Sequence, residues 1–259
     1  MRPRAAEKKT RDPAQPPKED RFRYGWRDVH KRGPDGRSQW ERIPLTLSDV
    51  LYPQVGDHIV QSFRHDEECY YLAGVARSRV SRLRRGKITS DNGADWHLEG
   101  ERPVCPDVGV FDHLRSEPPP DDAVLDVIAQ GARSLAIVEI VSPNTRENDV
   151  ETKFVIYHRA GVRQYVIVDQ EREGAPREVR GFRWTRSRYV RMRPDEHSRI
   201  PIKSLGISLG LVDTRLWAYD LETGERIPDV AEMTEQLGSA EERIRQLEAE
   251  LRRARGAAE

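Results

Sequence analysis

Leu135-Ala136-Ile137-Val138-Glu139-Ile140-Val141 is an aliphatic run broken by a single carboxylate, and its reading decides the fold. A short continuous apolar run bounded by polar segments reads as a strand buried on both faces. Alternation along a strand puts Leu135, Ile137, Glu139 and Val141 on one face and Ala136, Val138 and Ile140 on the other. Glu139 is therefore flanked by Ile137 and Val141. An ionised carboxylate in such surroundings is costly unless a metal, a cation or a donor pairs with it.

Working outward, Val104 to Phe111 reads as a further strand carrying Pro106-Asp107, and Gln164 to Asp169 as another buried strand. Asp149 to Ala160 is expected to be a helix closed by Gly161. From His65 to Arg85, Cys69, Leu72, Ala73, Ala76, Val80 and Leu83 recur at helical spacing. Ser48-Asp49-Val50-Leu51 reads as a short capped turn, Lys87-Ile88-Thr89 as the opening of a strand, and Arg180 to Arg193 as hairpin-like. The order indicates a mixed α/β domain over residues 41–227, with a mixed central sheet flanked by helices.

The flanks differ in kind. Residues 1–40 are rich in Arg, Lys, Pro, Asp and Gly, and a disordered extension is expected there. Residues 228–259 are expected to form a C-terminal helix. Leu237, Ile244 and Leu251 are seven apart, with Ala240, Leu247 and Ala254 interleaved, and Ser239 with Glu242 offers a capping box. A coiled coil, and a homodimer through residues 237–254, follow as expectations.

Bulk composition narrows the class. Apolar content of 36% beside 34% charge is lean, and the net charge of zero argues against a strong whole-protein field for nucleic acid while leaving a local basic face open. Cys69 and Cys105, the only cysteines, fit free thiols better than a disulfide framework or a zinc site. No stretch approaches the ~20 apolar residues that span a bilayer. The first residues carry Arg2, Arg4, Lys8 and Lys9 without an apolar core, so no signal peptide is expected and the reading is cytoplasmic.

Lysine usage singles out one residue. Of 44 basic residues only seven are lysine, and between positions 88 and 202 the only one is Lys153. An ammonium is a compact point donor, whereas guanidinium is a planar fork. If the strands bearing Asp107 and Glu139 are neighbours, the two carboxylates meet and can hold a hard cation, with Lys153 beside them to neutralise developing charge. The plainer alternative pairs Asp149 with Lys153 as an i,i+4 surface ion pair. Glu68 lies near the buried stripe of the early helix and is a further candidate metal ligand, with His65 beside it. The other histidines show no metal-ligand spacing.

Cys105-Pro106-Asp107-Val108, Val138-Glu139-Ile140-Val141-Ser142-Pro143-Asn144-Thr145-Arg146, Asp149-Val150-Glu151-Thr152-Lys153, Tyr157, Ala160-Gly161-Val162 and Gln164-Tyr165-Val166-Ile167-Val168-Asp169 together resemble the PD-(D/E)XK nuclease superfamily, and within it the Uma-two family of restriction endonucleases. The resemblance covers roughly Ile43 to Glu225. It implies a restriction-endonuclease-like core and Mg²⁺-dependent DNA hydrolysis, with Mn²⁺ as an alternative. Asp107 and Glu139 would hold the metal, with the backbone carbonyl of Ile140 as a further ligand and Tyr157 as an auxiliary residue. The superfamily lysine stands two residues after the acid, where this chain has Val141; Lys153 takes that place from the next helix.

Two functions follow as expectations: a Mg²⁺-dependent DNA endonuclease, or a non-cleaving nucleic-acid-binding or assembly module on the same fold. Arg82, Arg84, Arg85 and Arg183 are the expected DNA contacts, acting on phosphates rather than bases.

Overall fold

The computed structural model describes residues 21–33, 38–172 and 174–256, in two compact units, Met1–Val60 and Gln61–Glu259. In the first unit β1 (Gly25–Arg32) pairs antiparallel with β2 (Ser38–Pro44). Then come α1 (Leu47–Leu51) and β3 (Asp57–Ile59), which pairs with the other edge of β1. Thr46 and Asp49 cap α1 reciprocally, each side chain accepting the other's backbone N–H.

This hairpin corrects the expected disorder. Residues 1–20 and 34–37 lie outside the described residues, but residues 25–32 and 38–40 are in strands. Cross-strand polar and aromatic pairs hold it, not aliphatic burial, so hydropathy misses it. Arg42 bonds Asp28 directly opposite at 2.9 Å, Lys31 reaches Glu41 at 2.6 Å, and the rings of His30 and Trp40 lie 5.0 Å apart.

The second unit begins with α2 (Phe63–Ser78), β4 (Lys87–Thr89), β5 (Gly93–Asp95), β6 (Val108–Asp112), β7 (Val124–Asp126) and β8 (Arg133–Ile140). It continues with α3 (Lys153–Arg159), β9 (Gln164–Gln170), β10 (Arg177–Trp184), β11 (Tyr189–Arg191), β12 (Ile200–Ile202), β13 (Ile207–Val212), β14 (Arg215–Asp220) and α4 (Val230–Gly256). The central sheet has the order β11-β10-β9-β8-β6-β4. Within it β8 and β9 run parallel and the other neighbours antiparallel. Joining parallel neighbours needs a crossover, and α3 lies in it. The expected mixed sheet with flanking helices is thus the observed architecture.

One face of this sheet, with Val108, Val110, Ala136, Val138 and Ile140, packs on Cys69, Leu72, Ala73 and Ala76 of α2, and Ile207 and Leu209 of the antiparallel sheet β12-β13-β14 join the same core. On α3 and its sheet neighbours, Tyr157 stands 5.1 Å from Tyr165 and 5.7 Å from Trp96, ring centre to ring centre. Glu139 shares the strand face of Ile137, opposite the α2 core.

Three boundaries differ from expectation. The strand around Asp107 starts at Val108, because Pro103 and Pro106 cannot donate to a ladder; Val104 makes only an isolated bridge to Ala94. Helix α2 ends at Ser78, before a short tight turn at Val80–Arg82, and it starts at Phe63 with Ser62 accepting the His65 N–H. The C-terminal helix begins nine residues before Ser239, at Val230, where Asp229 and Glu232 accept each other's N–H at 3.0 Å. That pair is the capping box, and Ser239 lies inside the helix. No helix among the described residues is long and apolar enough to cross a membrane.

Candidate active site

Strand β6 pairs with β8 through Val108↔Val138 and Gly109↔Ile137. One further step of that antiparallel ladder sets Asp107 opposite Glu139. The Ile140 N–H donates to Asp107 Oδ2 at 2.6 Å, which fixes the carboxylate at the end of the sheet. Both acids are buried, and Glu139 has no exposed surface.

Each oxygen of Glu139 has its own donor: the Tyr157 hydroxyl at 2.7 Å from Oε1 and the Lys153 ammonium at 2.9 Å from Oε2. Lys153 Nζ also lies 2.9 Å from Asp149 Oδ1 and 3.4 Å from the Cys105 carbonyl. The backbone at Asn148–Thr152 makes a wide turn in which the Lys153 N–H bonds the Asn148 carbonyl five residues back. Such widened turns re-aim side chains and recur at functional sites. Here the turn leads into α3 with both Asp149 and Lys153 buried. The i,i+4 pair is real, but it is buried and completed by Glu139, so the surface reading of it is corrected.

The electrostatics follow from three carboxylates sharing one ammonium. Burial pushes the Asp107 carboxyl up to about 7, against the pull of Lys153. Burial also raises Glu139 well above its ordinary value, again opposed by Lys153 and reinforced by Asp107 and Asp149. Burial disfavours the Lys153 ammonium, yet Asp149, Glu139 and Asp107 outweigh it and hold its pKa above the ordinary lysine value. The cluster is short of positive charge.

His65 is at the site. Its Nδ1 lies 2.7 Å from the Ile140 carbonyl and its Nε2 3.7 Å from Asp107 Oδ1. The Ile140 carbonyl, expected as a metal ligand, is therefore already hydrogen-bonded. Glu68 is not at the site. Arg177 holds both of its oxygens, at 2.5 and 2.7 Å, and the Leu216 N–H adds a third bond at 2.9 Å. Its place on the buried stripe is as expected, but a guanidinium takes the carboxylate.

Asp91 escapes a reading of the sequence, because Asp91-Asn92-Gly93 signals a turn and nothing more. It adopts φ +56°, its N–H bonds the Pro106 carbonyl at 3.2 Å, and burial raises its carboxyl above the ordinary value, against the pull of His65 and Lys153. Arg146 serves the scaffold instead. It grips Asp169 at 2.9–3.2 Å and ties the loop after β8 to the end of β9. Arg180 bonds the same carboxylate.

Of the four expected DNA contacts, Arg183 lines a groove of about 730 Å³ with Arg163, Arg191, Arg193 and Lys203. Leu135 also lines it, so the groove meets β8 about 13 Å from Glu139 at four residues of strand rise. Arg82, Arg84 and Arg85 lie elsewhere, before β4, and Arg85 donates to the Arg115 carbonyl.

A family model described as "Uma2: Putative restriction endonuclease" matches residues 55–216, which include every residue of this centre. No curated protein matches the chain. A crystal structure of "a putative nuclease belonging to DUF820 from Anabaena variabilis ATCC 29413" is 16% identical, with a TM-score of 0.41; the match covers 62% of this chain and 97% of that one.

Proposed function

The chain belongs to the Uma2 family, and on that premise we propose that it is a divalent-metal-dependent DNA endonuclease, hydrolysing phosphodiester bonds at Asp107, Glu139 and Lys153. The observation that carries this reading is the charge deficit of the cluster. Three buried carboxyl groups, Asp107, Glu139 and Asp149, gather around the single ammonium of Lys153, so ionising Asp107 and Glu139 together calls for positive charge that the chain does not supply. A dication supplies the missing charge, and two carboxylates are the donor set a hard cation takes.

Asp107 and Glu139 are the residues that would hold Mg²⁺ or Mn²⁺. Bound there, the ion would polarise a phosphate oxygen and acidify a water. The chain's own residues do the rest. Asp149 fixes Lys153, whose ammonium stabilises charge developing on the phosphate. Tyr157 orients Glu139, and the Ile140 N–H orients Asp107. The groove containing Arg183 offers phosphate contacts, which give salt-dependent affinity with little sequence information.

Nicking of supercoiled DNA with Mg²⁺ or Mn²⁺ tests the proposal. Activity should be lost in Asp107→Ala, Glu139→Ala and Lys153→Ala; cleavage that survives all three ends it. A second reading, a non-cleaving nucleic-acid-binding or assembly module, draws on the saturation of Glu139, whose oxygens already accept from Tyr157 and Lys153. A melting temperature unmoved by either ion would favour it, since an ion that binds only the folded chain stabilises it.

A further inference from the structure

His65 and Cys69 stand four residues apart on α2, so their side chains meet on one face. A carbonyl only accepts, so the 2.7 Å contact with Ile140 places a hydrogen on His65 Nδ1. The atom left to coordinate is Nε2. It lies 3.4 Å from Cys69 Sγ and 3.7 Å from Asp107 Oδ1. The three ligand atoms lie within 4.8 Å of one another, and all three residues are buried. Tetrahedral zinc, with bonds of about 2.0–2.3 Å to N, O and S, needs ligand–ligand edges of about 3.3–3.6 Å. Both separations at Nε2 are within a few tenths of an ångström of that. A ring N–H held by a backbone carbonyl is also how metal-bound histidines are oriented.

We propose that His65, Cys69 and Asp107 form a binding site for a borderline-soft dication of the zinc class, chemically distinct from the carboxylate centre beside it. An imidazole and a thiolate select zinc or cobalt over magnesium, whereas carboxylates and water suit magnesium. On binding, the Cys69 thiol gives its proton to solvent and its sulfur forms the metal bond. Asp107 belongs to both donor sets, so zinc and magnesium compete for it. That competition rests on the nuclease reading above; the zinc site does not.

Cobalt reports such a site optically, through a thiolate-to-metal charge-transfer band. Titrating the full chain with Co²⁺ should produce this band, and Zn²⁺ should displace it. Cys69→Ser should remove the band, whereas Cys105→Ser and Glu139→Gln should keep it; the chain has no third cysteine. His65→Ala should weaken Co²⁺ binding by roughly tenfold or more. Should Cys69→Ser lose its fold by circular dichroism, Cys69→Ala serves in its place. Absence of the band in the wild type, or its persistence in the folded Cys69 variant, overturns the proposal. The band without DNA cleavage leaves the zinc site standing and counts against the nuclease reading; cleavage without the band does the reverse.

Discussion

The ammonium of Lys153 stands 2.9 Å from Glu139 Oε2, with neither side chain more than a tenth exposed. Removing one partner of a buried ion pair leaves the other charge unmatched, at a cost of about 3–5 kcal/mol. Lys153→Met should destabilise the chain by that order in urea unfolding. Adding Glu139→Gln should recover part of the loss; a strictly additive double variant would show that the two groups do not interact. Lys153→Arg should keep the charge but lose cleavage, because a planar fork cannot replace a point donor.

Burial pushes the Asp107 carboxyl up to about 7 in the folded chain from an ordinary 3.8. Between those values the folded state holds a proton that the unfolded state has released. Stability from this group therefore falls as pH rises from about 4 to 7 and changes little above that, by an amount on the order of a few kcal/mol. Glu139, also raised, acts in the same direction. In chelator, Asp107→Asn should flatten the difference between urea midpoints at pH 5 and pH 8. An unchanged difference would remove Asp107 as its source. Saturating Mn²⁺ at pH 8 should restore stability to the wild type and not to the variant.

Gly109 lies between Thr89 and Phe111, where an added Cβ would come within 2.6 Å of Phe111 Cε2 and closer still to Thr89 Oγ1. Gly109→Ala should cost about 1–3 kcal/mol by overpacking. Thermal unfolding checks this, and an unchanged melting temperature would mean that β6 yields more easily than its packing implies.

Leu237, Ile244, Leu247 and Leu251 are exposed on α4 by 62, 55, 47 and 52%. If residues 237–254 join two chains, truncation after residue 236 should lower the sedimenting mass to that of one chain. A full-length chain that already sediments as a monomer would end the dimer proposal.

The sheet, the crossover helix and the meeting of Asp107, Glu139 and Lys153 are legible in the sequence, because an aliphatic strand cannot hide a carboxylate without a partner. Tyr157 is legible only through the family resemblance. Glu68 misleads because helical periodicity gives the face of a residue and not its partner, and Arg177 is 109 residues away. The β1–β2 hairpin stays hidden because its cross-strand pairs carry no hydropathy signal. His65 and Cys69 escape notice as a pair because the third ligand atom comes from another element, beyond any spacing rule.

The single connection from β8 to β9 holds Arg146, Asp149, Lys153 and Tyr157, while the sheet contributes Glu139 and, just before β6, Asp107. The division has a consequence for inheritance. The segment between the parallel strands is a cassette: exchanged between relatives, it would carry the ammonium, its orienting acid and the phenol together. Chemistry could then drift within one stretch of chain while the pleated framework stayed as it was.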